Sequence, residues 1–173
     1  MRDVIEKLAF KLASDVDSEV QDALRTTRLV LELSSRLGTL RWLPAVQLQQ
    51  GDDADEMARW AKQRPRQLHD EYAELLPEEY LDLELADDEV AGLAGILVDM
   101  LQRPTPLATS AAWALADSAY LGAVPALANM VRRYASIDAR AASQAIGALR
   151  SILVSRDPRE DGGIIGEHGA DLR

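Results

Sequence analysis

The chain has no cysteine, two histidines, one phenylalanine and fewer cations than anions, and each shortage closes off some chemistry. Without cysteine there is no disulfide, no thiol nucleophile and no thiolate metal site. His69 and His168 lie far apart in sequence, and the residue four beyond His69 is Ala73, so no His-xxx-His pair exists. A local zinc or general-base signature is therefore missing. No Gly-x-Ser-x-Gly, P-loop or dinucleotide fingerprint occurs, and the Asp52, Asp53, Asp55 run lacks the glycine and terminal glutamate of an EF-hand. Acidic pairs at helical spacing, such as Glu78 with Asp82, are plentiful, yet none is singled out as a tuned acid–base pair. The expected complement of catalytic residues, metals and cofactors is none. No apolar stretch approaches the roughly eighteen residues that a membrane span requires. Met1-Arg2-Asp3 opens into an amphipathic pattern rather than an apolar run, so no secretory leader is expected. Together these features predict a cytoplasmic protein that does not enter a membrane.

What remains is a helix-forming composition. The 173 residues are 47% apolar but only 5% aromatic, so the core must be built from Leu, Ala, Val and Ile. Such a chain predicts one all-α domain over 1–156. A first helix covers 3–14, with Val4, Ile5, Leu8, Ala9 and Leu12 on one side. A long second helix covers 16–37, its broad stripe of Val16, Val20, Ala23, Leu24, Thr27, Val30 and Leu31 asking for two neighbours. Gly38 is expected to end it. Leu40 to Pro44 then reads as an apolar turn, and Val46 to Gly51 as a polar link. A helix with Met57 and Trp60 follows, ended or kinked at Pro65. The next, over 66–76, turns Leu68, Tyr72 and Leu75 inward. Leu81 to Leu85 alternates like a strand but is too short, and reads as helix or loop. Residues 88–101 form another helix. Beyond Ser155 periodicity stops, and the Gly-rich 157–173 reads as a C-terminal tail.

The most regular stretch is 105–155, read as helix, turn, helix, turn, helix. Pro106 sits in the first turn of one helix and Pro125 in that of the next, where a missing N–H costs nothing. Leu107, Ala111 and Leu115 share a face, with Trp113 beside them. Trp113 reads as core, and the other reading is a binding anchor on an open end. Leu127 and Val131 line the second helix. Arg132 and Arg133 suit the dipole at its C-terminal end. Asp138 or Ser136 caps a third helix carrying Ala142, Ile146, Leu149 and Leu153. Buried positions are expected at Leu115, Leu127, Val131 and Ile146. Ala111, Ala114 and Leu115 match Ala142, Ala145 and Ile146 at an offset of 31, and Val90, Leu93, Ala94, Ile96 and Leu97 match Val124, Leu127, Ala128, Met130 and Val131 at an offset of 34. Two helices per repeat near this period is the habit of α-solenoids.

Ala111-Ala112-Trp113-Ala114-Leu115 and Ala123-Val124-Pro125-Ala126-Leu127 make residues 88–155 resemble HEAT-repeat proteins. The resemblance implies a right-handed stack of antiparallel helix pairs, a short HEAT-like solenoid with a binding surface. It departs from the family where the common Leu-Gly-Asp turn is replaced by Asp117 to Gly122, and in the N-terminal half, which shows no clear copy. The family implies no single activity.

The net charge is −10, and all of the excess lies in the middle. Residues 1–45 carry 7 basic and 7 acidic residues, 105–173 also carry 7 and 7, and 46–104 carry 5 basic and 15 acidic. A solvated surface is the plain explanation. The functional one is a face for a basic partner, formed by Asp52, Asp53, Asp55, Glu56, Glu78, Glu79, Asp82, Glu84, Asp87, Asp88 and Glu89. Asp82 and Glu84, away from helix starts, are its best members, because acids at helix starts have a local reason to be there. Nucleic acid is not an expected partner, since phosphate binding needs a basic footprint. The expected function is thus a non-enzymatic protein-interaction module, in one concrete version an immunity- or antitoxin-like inhibitor of a basic toxin or nuclease. The alternatives are a lyase-like α-repeat enzyme or small-molecule binder, and a self-assembling structural protein such as a homodimer.

Overall fold

The computed structural model describes residues 3–49, 54–81 and 83–154, and gives no side-chain placement for 39–49, Ala54 and Met57. The expected tail at 157–173 lies outside the described residues, as do Asp52, Asp53 and Asp82. Every regular element is helical, and no strand occurs among the described residues. The helices are α1 (Asp3–Leu12), α2 (Asp17–Gln49), α3 (Ala54–Tyr72), α4 (Glu78–Leu81), α5 (Asp87–Met100), α6 (Thr105–Leu115), α7 (Val124–Tyr134) and α8 (Ala139–Val154), with a 3-10 turn at Leu121–Ala123 leading into α7.

The contacts fall into a simple order. α1 lies on α2, α5 on α6 and α7 on α8. α2 also packs on α6, and α6 on α8, while α1 touches α5 and α5 touches the 3-10 turn ahead of α7. α3 and α4 lie against α2. One continuous apolar cluster runs through these contacts, from Ile5 in α1 to Ile152 in α8. In α6 and α8 it is lined by small residues: Ala108, Ala111, Ala112 and Ala114 in α6 and Ala141, Ala145 and Ala148 in α8 are all buried. Alanine at these positions lets neighbouring helices approach closely while native packing density is kept.

Several expectations need correction. α2 does not stop at Gly38, but runs through it and through Pro44 to Gln49. An isolated helical glycine costs only about 1 kcal/mol relative to alanine, which context overrides. The apolar turn expected at 40–44, and residues 46–49 of the expected polar link, are therefore part of α2. α3 likewise continues through Pro65 to Tyr72. Leu75 is exposed and Leu76 buried, because α3 ends at Tyr72 and the chain turns. Both N–H groups fold back onto the Tyr72 carbonyl at 2.9 Å, so helical spacing no longer decides which side chain faces inward. Val16 is exposed as well. Ile146 is 53% exposed rather than buried, and Val131 is only half-buried. α8 turns its alanine stripe and Ile152 inward and leaves Ile146 and Leu153 on its flank.

The alternation at 81–85 is real in burial though not in hydrogen bonding. Leu81, Leu83 and Leu85 are buried, and residues 83–86 carry no regular structure. The segment is tied to α2 by the Leu85 N–H, which donates to Ser34 Oγ at 3.0 Å. The unusual turn after α6 is also built by a serine. Buried Ser118 donates to the Leu115 carbonyl at 2.8 Å and accepts from the Tyr120 N–H at 3.2 Å. Ala119 takes a left-handed φ of 50° there. At Gly122 a Cβ would come to 2.5 Å from Tyr120 Cζ, so a larger residue there would displace the tyrosine ring. Asp138 caps α8 as expected, accepting the N–H groups of Arg140 and Ala141 at 3.0 Å each.

Candidate functional site

The acidic residues separate by their surroundings. Asp55 and Glu56 are exposed in the first turn of α3. Glu78 and Glu79 open α4, Asp87 and Asp88 open α5, and all four are exposed. Each of these four is without an ion pair or hydrogen bond among the described residues. Glu79 acts on its neighbour electrostatically: burial first, then the Glu79 charge, pushes the Tyr80 hydroxyl above its usual range. Glu84 is half-buried. Glu89 is only 7% exposed, and its carboxylate accepts the Ala86 N–H at 3.0 Å. That is half of a capping box, since Ala86 has no side-chain oxygen to return the bond. Glu89 therefore serves its own helix start and is turned away from solvent. Asp55 and Glu56 stand at the far end of α3, about 25 Å from its C-terminus at a helical rise of 1.5 Å per residue. Glu78 and Glu79 thus stand in the first turn of α4, and Asp87 and Asp88 in the first turn of α5, the next helix along the chain.

A second cluster, unanticipated by the acidic count, lies between α2 and α6. Trp113, expected in the core, is 49% exposed on the outward stripe of α6, with Ser110 one turn before it and Asp117 four residues after. The inward positions of α6 are taken by leucine and alanine, which leaves no room for an indole between α2 and α8. The Arg28 guanidinium stacks over the Trp113 ring, 3.9 Å from its centroid. Arg28 is held by Glu32 at 3.3 Å and faces Asp117 at 3.9 Å. Two turns along α2 from Arg28, Arg36 pairs with Glu71 of α3 at 3.1 Å, and Arg64 joins the same carboxylate at 3.2 Å. Trp113 and Arg28 line a groove of about 580 Å³ with Leu24, Leu29, Arg25 and Leu75. The only signal for it in the sequence is spacing: Arg25, Arg28, Glu32 and Arg36 recur three or four residues apart on α2.

The charges in this region shift two groups. Burial, with Glu32 as hydrogen-bond partner and nearby anion, pushes the Tyr72 hydroxyl up to about 12, against the opposing pull of Arg36. Burial and then the Glu32 charge raise the Asp117 carboxyl, against Arg28 and Arg36. Both shifts favour the protonated form in the folded state. For Tyr72, stability is fully present below pH 10 and is lost as pH rises from 10 through about 12. Tyr72→Phe should therefore lose less stability than the parent on passing from neutral pH to above pH 10. Denaturation midpoints at the two pH values measure this, and an equal loss in both proteins would contradict it.

No group of three His, Cys, Asp or Glu residues that would hold a metal ion occurs among the described residues. None of the described helices is long and apolar enough to cross a membrane. The structure thus places two distinct surfaces on an all-helical frame, one of unpaired carboxylates and one of arginine and tryptophan. No protein-family model, no curated protein and no solved structure matches the chain.

Proposed function

We propose that this protein is a non-enzymatic interaction module, a short α-solenoid whose acidic face meets a basic protein. The order of helix contacts supports the solenoid reading. Taking α1/α2, α5/α6 and α7/α8 as successive pairs, α2, α6 and α8 form one row and α1, α5 and α7 the other. On this reading the N-terminal pair is a repeat unit that the sequence comparison lacked, and α3 and α4 are an insertion between the first unit and the second.

The observation that carries the function is the exposure of Glu78, Glu79, Asp87 and Asp88, without an ion pair among the described residues, in the segment holding the whole charge excess. Part of their placement is local, because an acid in a first helical turn gains about 0.3–1 kcal/mol from the helix dipole. Four uncompensated acids around one short segment exceed that need, and unpaired surface charge is what steers a partner of opposite sign. An inhibitor that covers the basic active face of a toxin or nuclease is the concrete form of this reading.

The test uses a partner captured from cell extract and eluted by salt. Reversing Glu78, Glu79, Asp87 and Asp88 to Lys is expected to slow association by about tenfold or more at low ionic strength and to flatten its salt dependence. Reversal of Asp3 and Glu6 in α1 serves as a control of the same sign, and circular dichroism checks folding. Equal on-rates for the two reversals would mean that the acids at 78–88 are only a solvated surface.

One observation favours a second reading, self-assembly. Ile146, Leu153 and Val154 are exposed on α8, the last of the described helices. A homodimer through this face would sediment as such at micromolar concentration and fall apart in Leu153→Glu. A protein that is monomeric throughout the concentration range rules that reading out.

A further inference from the structure

The groove between α2 and α6 has the makings of a ligand site distinct from the acidic face. Two of the protein's exposed large apolar side chains, Trp113 at 49% and Leu75 at 48%, line it together, above a floor of buried Leu24 and Leu29. Its volume of about 580 Å³ lies within the roughly 300–1,000 Å³ usual for ligand pockets. The indole is already oriented, because Arg28 covers one of its faces and is itself held by Glu32. A fixed aromatic wall costs little entropy when a ligand settles on it.

Two polar groups of the groove, the Gln21 amide and Arg25, have donors without acceptors among the described residues. Ser110 Oγ shares its proton between the Pro106 carbonyl at 3.1 Å and Gln21 Oε1 at 3.2 Å, and both N–H groups of the Gln21 amide are without a partner among the described residues. Arg25 lines the same groove, is exposed, and makes no hydrogen bond or ion pair there. Asp22 is the one carboxylate in the lining, three residues from Arg25 on α2. A guanidinium and an amide offering free N–H groups beside an apolar slot match a carboxylate attached to an apolar side chain.

We infer that this groove binds an acidic-hydrophobic peptide segment of a partner protein, with an aromatic or leucine side chain between Trp113 and Leu75 and a neighbouring carboxylate on Arg25 and Gln21. In a chain of net charge −10, Arg25 supplies the local attraction that such a segment needs against the long-range field.

The experiment titrates the full isotope-labelled chain with two peptides, acetyl-Glu-Phe-Glu-Leu-amide and its Gln-for-Glu counterpart, following amide and indole signals. The acidic peptide is expected to move the Trp113 indole and Ser110 signals saturably. The Gln peptide should bind the same place about tenfold more weakly, as loss of a charge-assisted bond implies. Arg25→Gln should bring the acidic peptide down to the affinity of the Gln peptide and leave the latter unchanged. Leu75→Ser and Trp113→Ala should each weaken both peptides, and because both residues are half exposed, a retained helical spectrum separates lost binding from lost fold. The Lys reversals at Glu78, Glu79, Asp87 and Asp88 should leave peptide binding in place, so failure of the acidic-face reading and failure of this one are distinguishable. No saturable shift at Trp113 with millimolar peptide, equal affinity for the two peptides, or indifference to Arg25→Gln would each overturn the proposal.

Discussion

Leu127→Ala is expected to destabilise the protein by about 2–5 kcal/mol, the cost of removing a buried leucine and leaving a cavity. Leu127 is fully buried at the inward side of α7, where α7 and α8 make the most extensive helix contact among the described residues. A loss of that size would lower the melting temperature by about 2–4 °C for each kcal/mol in a chain of this length. Ile146→Ala, in the same contact region but exposed, should stay within about half a kcal/mol. The pair of measurements tests the register of α8 as well as the core, since the reverse ranking would mean that Ile146 and not the alanine stripe faces inward.

The second large effect is expected from adding atoms. Ala111 is fully buried in α6, which is clasped by α2 on one side and α8 on the other. Ala111→Leu would push three extra heavy atoms into that contact, and overpacking costs typically about 1–3 kcal/mol or more when neighbours cannot yield. α6 has little room to shift, because moving away from one neighbour drives it into the other. Gly147→Ala is the counterpart of opposite sign. Gly147 is helical, exposed and has open space around a built Cβ, so alanine there should stabilise by about 0.5–1 kcal/mol. Chemical denaturation of both variants measures the contrast. A neutral Ala111→Leu would show that the α2–α6–α8 contact is loosely packed.

Much of the helical frame was legible in the sequence because it rests on local rules. Pro106 and Pro125 mark helix starts, Asp138 caps α8, and the stripe of α2 from Val20 to Leu31 is buried as its spacing predicts. What was not legible depends on partners distant in sequence. Gly38 and Pro65 look like stops, yet their helices run on. Arg133 was expected to serve its own helix end. It does lie in the last turn of α7, and its guanidinium also donates to the Leu101 carbonyl at 2.6 Å and to Gln102 at 3.2 Å, joining α7 to the end of α5. α8 shows the limit of weighing residues by size, because in a closely packed stack the small residues mark the contact and Ile146 is left outside.

The same holds for the sites. Charge counting located the acidic segment but not which acids face solvent, since Glu89, one position beyond exposed Asp88, is buried and accepts the Ala86 N–H. Trp113 was open to two readings in the sequence. Its exposed position and its stacking on Arg28 come from α6 lying between two neighbours, information that no single helix carries.

The acidic face is tested most directly by hydrogen exchange of the protein alone and in complex with its captured basic partner. If the carboxylates opening α4 and α5 meet that partner, the amides of residues 77–90 should exchange more slowly in the complex, with the largest change around Glu78, Glu79, Asp87 and Asp88. A partner that leaves 77–90 exchanging as in the free protein, and protects another surface instead, would contradict the account.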